Sequence, residues 1–194
     1  MLNDALRLIV NTIFGLLVYA LLLRFIMQWL RAPFRNPLGQ AVTASTDWLV
    51  KPLRRVIPGV RGFDWASLVP AWVLQAIWLA LLAVLSAGTL SAAAAGFIAV
   101  WAVIELIKAA VWILIVAVFL QAILSWVAPD GPLAGVLNSL TFRFLAPVRR
   151  VVPPLGGSLD LSPLIVIVLA QLVLILPVAW LERTVAQMAS FAVS

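Results

Sequence analysis

The chain has 194 residues, 65% of them hydrophobic and only 10% charged, with a net charge of +6 and a mean hydropathy of +1.17. Soluble domains carry about a quarter charged residues, so this composition belongs to an integral membrane protein. Cysteine and histidine are absent, which excludes disulfides, thiolate metal sites, thiol nucleophiles and imidazole acid–base chemistry, and leaves Met1, Met27 and Met188 as the only soft ligands for a haem, so no cofactor or enzymatic activity is expected.

The first apolar run, about 6–30, is too long for a signal-peptide core and reads as a membrane span. Arg24 is its one deep charge. It lies about 7.5 Å inside the interface that Trp29 marks. It can snorkel to the headgroups, or it can meet a partner on another helix or a lipid phosphate. Asn36 followed by Pro37 is a helix-start signal, a cap and then proline at the first helical position. Leu38, Val42, Ser45, Trp48 and Leu49 then recur at helical spacing. They predict a short amphipathic helix lying in the interface, which Pro52 ends. Arg54 and Arg55 follow, then Pro58, Gly59 and Gly62.

Asp64, with Ser67, opens the second span, about 65–87, as an N-cap. Gly88 and the SAAAAG tract read as the turn on the far side. The third span, about 97–127, must tilt or start beyond the membrane. Its opposite charges Glu105 and Lys108 lie about 31 and 27 Å from Trp126, near the far headgroups, and are expected to form a surface ion pair in preference to an ion pathway. Pro132 then starts a second short helix, with Leu133, Val136, Leu137, Leu140 and Phe144 on one stripe. Pro147 stops it, Arg149 and Arg150 follow, then Pro153, Gly157 and Asp160, which opens the fourth span, about 161–181. Pro177 is expected to kink that span, and the tail after it to fray.

The two halves match. Pro37 and Pro132, Pro52 and Pro147, Arg54 and Arg149, Arg55 and Arg150, and Pro58 and Pro153 are all 95 positions apart. Asp64 to Asp160 and Gln75 to Gln171 are 96 apart, and Trp29 to Trp126 is 97. This agreement across residue types predicts an all-α membrane protein of four transmembrane helices as two parallel repeats, 1–88 and 89–194, each a span, an interfacial helix, an Arg-Arg loop and a span. Both loops then face one side. They hold nine of the thirteen basic residues, so the positive-inside rule puts them in the cytoplasm and both termini in the periplasm.

A guanidinium fork suits phosphate, so the paired arginines are candidate contacts for anionic lipid headgroups, against the plainer reading that they only set topology. Asp64 and Asp160 are better explained by capping or a salt bridge than by paired-carboxylate catalysis. Gln75 and Gln171 could bond across helices or line a polar passage. Nucleic-acid binding is not expected, because no stacking surface or soluble module is present.

The segments LLLRFIMQWLRAPFRNPLGQ and KPLRRVIPGVRGFDWASL, with their second copy, closely resemble the YggT family of bacterial membrane proteins in its duplicated, four-span form. The family elements land on Arg24, Gln28, Trp29, Asn36, Pro37, Pro52, Arg54, Arg55, Pro58 and Asp64. The second copy keeps Trp126, Pro132, Pro147, Arg149, Arg150, Pro153, Gly157, Asp160 and Pro163, and departs at Gln121, Ser125 and Gly131. The resemblance implies a bacterial inner-membrane protein linked to osmotic and envelope stress tolerance. It also implies relatives concerned with cell division or, in plastids, with haem attachment to a cytochrome b. Together with the residues it points to a non-enzymatic scaffold or assembly factor whose loops contact anionic lipid or a membrane-protein partner, with a homo-oligomer possible. The competing expectation is an oligomeric channel or small-solute transporter, built around Arg24, Gln75 and Gln171.

Overall fold

A computed structural model describes residues 2–60, 62–87, 92–153 and 160–193. It is helical throughout, with seven α-helices among the described residues. They are α1 (Leu2–Trp29), α2 (Pro37–Leu53), α3 (Trp65–Ala87), α4 (Ala92–Val127), α5 (Ala134–Val151), α6 (Ser162–Val173) and α7 (Ala179–Val193), the last two joined through a π-helical turn, Leu174–Val178. Four stretches are long and apolar enough to cross a membrane: Arg7–Trp29, Trp65–Leu85, Ala95–Val127 and Ser162–Ala189. The expected turn at Gly88 and the expected Gly157 lie outside the described residues. Ala92–Gly96, read as part of that turn, is instead the start of α4. Alanine is the best helix former, and a run of it extends the span.

Helix α1 packs on α3, α4 on α3 and α6, and α1 on α4. The spans approach one another through small residues. Ala66, Ala71, Ala102, Ala109, Ala117 and Ala170 are all buried, as expected where lipid supplies no hydrophobic drive between helices and close backbone approach does the work. Outward faces carry leucine, isoleucine and valine, such as Leu16, Val100 and Leu164. One polar strut ties α3 to α4, where Trp72 Nε1 donates to the Ala99 carbonyl at 3.0 Å.

The short helices α2 and α5 each bury one stripe: Gly39, Val42, Thr46 and Val50 on α2, and Val136, Leu137, Leu140, Thr141 and Leu145 on α5. The α5 stripe is close to the predicted one. On α2 the prediction was rotated, since Ser45 and Trp48 face outward. Trp48 instead lines an apolar groove of about 1010 Å³ between α1, α2, α4 and α5.

The helix boundaries depart from the proline rules in an instructive way. Asn36, extended at φ −154°, caps α2 by accepting from the Gly39 amide at 2.8 Å, and its amide group also donates to the Pro33 carbonyl. Gly39 is needed there, because a Cβ would meet the Phe34 carbonyl oxygen at 2.4 Å. Gly131 has no side chain to repeat the cap, and α5 starts at Ala134, two residues after Pro132. Pro52 sits inside the last turn of α2. Pro147 does not stop α5, which runs on to Val151. An internal proline costs about 3 kcal/mol, and buried Leu145 with the adjacent packing of Val148 against Val118 and Val166 offsets it. Arg149 and Arg150 therefore stand on the last helical turn and not in a loop. The tail also departs from expectation, because α7 stays helical through Val193.

Candidate functional site

The two arginines of each pair point in different directions. Arg54 reaches inward, its Nη2 at 2.6 Å from Asp64 Oδ2 and its Nε at 3.3 Å from Oδ1. Asp64 is fully buried and also accepts from the Ser67 hydroxyl at 2.6 Å. Arg54 Nη2 further donates to Gln28 Oε1 at 3.0 Å, tying the loop back to the end of α1. Arg149 makes the corresponding contact, Nη2 and Nε at 2.8 and 2.9 Å from Asp160 Oδ2. Asp160 caps α6 as well, accepting from the Ser162 amide at 2.9 Å. Burial works against its charge, but that amide and the Arg149 guanidinium prevail and hold its carboxyl below the usual range. Arg55 and Arg150 are exposed, and their side chains make no hydrogen bond or ion pair among the described residues. Pro58 and Pro153 are exposed beside them.

Both halves contribute to one cavity of about 660 Å³ at the loop end of α1. Gln28, Trp29 and Arg31 line it from the first half, Arg143, Pro147 and Arg150 from α5. No carboxylate lines it among the described residues. The α1 terminus explains how Arg31 comes to be there. Its amide bonds the Gln28 carbonyl and the Ala32 amide bonds the Met27 carbonyl, the paired pattern that closes a helix with one left-handed residue. That residue is Arg31, at φ +55°, the only non-glycine with positive φ among the described residues. Across the cavity the Arg143 guanidinium lies 5.5 Å from the Trp29 ring centroid, a cation–π contact. Trp29 in turn stacks on Phe63, which Phe25 and Trp65 also flank. An antiparallel bridge between Val60 and Phe63, with Gly62 at φ +86°, presents Phe63 to this cluster. Trp126, the counterpart of Trp29 by position, stands exposed and outside the cavity.

Deeper in the first half, Arg24 does not snorkel. It is 4% exposed and its Nη1 donates to Thr46 Oγ1 at 2.7 Å and to Asp47 Oδ1 at 2.8 Å, both on α2. Asp47 also pairs with Lys51 at 2.8 Å. The Lys51 contact, then Arg24, outweigh burial and keep its carboxyl below the ordinary value. In the second half Gln121 stands where Arg24 does, meets the hydroxyl of Thr141, and donates to Asn138 Oδ1 at 3.2 Å. The same helix-to-helix clasp is thus ionic once and neutral once.

At the far end Lys108 bridges two acids, Glu105 Oε1 at 3.0 Å and Glu182 Oε1 at 2.7 Å. The expected surface pair is therefore a link between α4 and α7. Gln75 is half-buried on α3, and Gln171 points outward from α6. Among the described residues neither bonds across helices, and α3 and α6 do not bring them together at a common site. Among the described residues no group of three His, Cys, Asp or Glu side chains could hold a metal ion.

Sequence reasoning missed Thr46, Asp47, Arg31, Arg143 and Glu182. The signal for Arg143 was a lone basic residue on the second short helix, and for Asp47 an acid one helical turn before Lys51. The other three carry none that spacing could expose.

The model of the CCB3/YggT family matches this chain over residues 3–85 and again over 100–181. The chain belongs to the CCB3/YggT family. It is 37% identical to an uncharacterized Pseudomonas aeruginosa protein over 177 residues, covering 89% of this chain and 87% of that one. The uncharacterized YggT protein of Escherichia coli K12 is 34% identical over 171 residues, 88% of this chain and 87% of that protein. A Vibrio alginolyticus relative described by its place in the proC 3' region is 34% identical over 166 residues, 85% of this chain and 89% of its own length. No solved structure matches the chain.

Proposed function

We propose that this CCB3/YggT protein is a non-enzymatic scaffold or assembly factor of the bacterial inner membrane that serves envelope and osmotic stress tolerance. On this reading two YggT-like units, 1–88 and 89–194, place their arginine-bearing segments at the cytoplasmic surface, with both termini periplasmic. There they contact anionic lipid or a membrane-protein partner, and α2 and α5 lie in the interface.

One observation carries the reading. Arg31, Arg35, Arg55, Arg143 and Arg150 are all exposed, and none has an acidic partner among the described residues. The acids Asp47, Asp64 and Asp160 are each occupied by other basic residues, which leaves Asp130 as the only unpaired described acid on that face. A surplus of this kind draws an anionic surface at about 1 kcal/mol per basic residue. The arginines that matter are then Arg55 and Arg150, while Arg54 and Arg149 are spent on the fold.

The test is reconstitution of the full chain in zwitterionic and anionic nanodiscs, with wild type compared to Arg55→Glu with Arg150→Glu. Retention of negatively charged lipid, counted after purification, falls in the double variant. Equal retention removes the lipid half of the reading. The channel reading gains nothing from the geometry, because Gln171 faces outward and Gln75 lies on a separate helix.

A further inference from the structure

Resting on that reading, the geometry points to a specific occupant: we infer that the cavity lined by Arg31, Arg143 and Arg150 is a headgroup site for a phospholipid carrying two phosphates.

Four observations converge. The cavity, about 660 Å³, is within the range of small-molecule sites, about 300–1,000 Å³. Among the described residues three guanidiniums line it and no carboxylate does, so their charge is left for a ligand to neutralise. Two phosphates match that charge better than one. The wall is aromatic, with Trp29 and Phe142, and it lies at the end of the first span, the depth where a headgroup meets its glycerol and where aromatic side chains collect. Arg143 is already fixed over the Trp29 ring, which leaves the edge of its planar fork for phosphate oxygens.

A further observation is Arg31 itself. Its backbone occupies the left-handed position that glycine fills at no cost, and any side chain there is strained. Gly62, across the same cavity, takes its positive φ as glycine. At Arg31 the chain accepts strain and gains a guanidinium in the cavity. A residue kept only for the helix end would be glycine.

That asymmetry makes the test sharp. The full chain in zwitterionic micelles is titrated with cardiolipin, which has two phosphates, or with phosphatidylglycerol, which has one, at equal total phosphate. Bound lipid is read by native mass spectrometry. Wild type is expected to prefer cardiolipin. Arg31→Gly and Arg143→Gln each lower cardiolipin binding about tenfold, the scale of a lost charge-assisted hydrogen bond, while Arg183→Gln, which removes an exposed charge on α7 away from the cavity, leaves the preference intact. Arg31→Gly also melts no lower than wild type, which separates lost binding from lost folding. Soluble pyrophosphate at equal phosphate is expected not to displace the lipid; displacement would overturn the lipid as occupant. Equal binding of both lipids, or an equal loss in Arg183→Gln, overturns the cavity while leaving a general attraction of the basic chain for anionic lipid. Loss of all anionic-lipid binding in wild type overturns both readings.

Discussion

Arg54 and Asp64 are joined by two hydrogen bonds, 2.6 and 3.3 Å, with the carboxylate 2% exposed and the guanidinium half out in solvent. The pair pins the start of α3 to the end of α2. It also means that the two neighbouring arginines are not interchangeable. Arg54→Ala strands a buried carboxylate with only Ser67 to satisfy it, at a cost of about 3 kcal/mol. Arg55→Ala removes an exposed group and stays within about 0.5 kcal/mol. Chemical unfolding of the two variants in micelles measures the difference, and Arg54→Lys does not restore wild-type stability because lysine lacks the bidentate fork.

The Arg24–Asp47 contact predicts an asymmetry of a different kind. Asp47→Ala leaves a buried guanidinium with Thr46 alone and costs about 2–4 kcal/mol. Arg24→Gln copies the Gln121 arrangement, and Asp47 keeps Lys51, so its cost is about 1 kcal/mol. Melting temperatures of the single variants decide the order.

Acid dependence follows from the lowered carboxyls of Asp47 and Asp160. Each has a folded-state pKa below its unfolded value of 3.8. The stabilisation is therefore complete above that value and is lost as pH falls through it towards the folded one. Thermal scans between about pH 6 and 3 show flat stability and then a decline below about pH 4. Asp160→Asn starts lower and declines less steeply.

Much of the fold could be read from the chain, because four long apolar runs and the Asn36–Pro37 signal are local features. The limits were the prolines and the partners. Pro147 reads locally as a stop, yet the burial of Leu145 and the packing of Val148, contributed by other helices, carry α5 past it. Arg24 leaves two readings open in the sequence, snorkelling or a partner on another helix, because Asp47 lies 23 positions away, and Glu182 lies 74 from Lys108. The arginine pairs were conspicuous, but two thirds of the cavity's basic lining, Arg31 and Arg143, stands outside the repeated motif.

Two glycines separate packing from propensity. Gly39→Ala drives a Cβ into the Phe34 carbonyl, with backbone on both sides and nothing flexible to yield. It is expected to cost about 1–3 kcal/mol. Gly15→Ala enters open space in the middle of α1, and alanine there gains about 0.5–1 kcal/mol over glycine. Opposite shifts in melting temperature are the expected result.

Lys108→Met removes the cation between Glu105 and Glu182 and sets two carboxylates against each other across α4 and α7. A loss of about 1–2 kcal/mol is expected, and adding Glu182→Gln recovers part of it. A double variant as unstable as the single one would show that the link carries no energy.

The π-turn at Leu174–Val178 has a consequence for that link. The Ala179 amide reaches back five residues to the Leu174 carbonyl, so the turn holds one residue more than an α-helix would. Each residue rotates a helix by about 100°. The wide turn around Pro177 therefore clocks α7 relative to α6, and Glu182 meets Lys108 only in that setting. Deleting one residue there would straighten the rod and swing the carboxylate a quarter turn away, so the fourth span can satisfy its upper or its lower neighbours without the bulge, but not both.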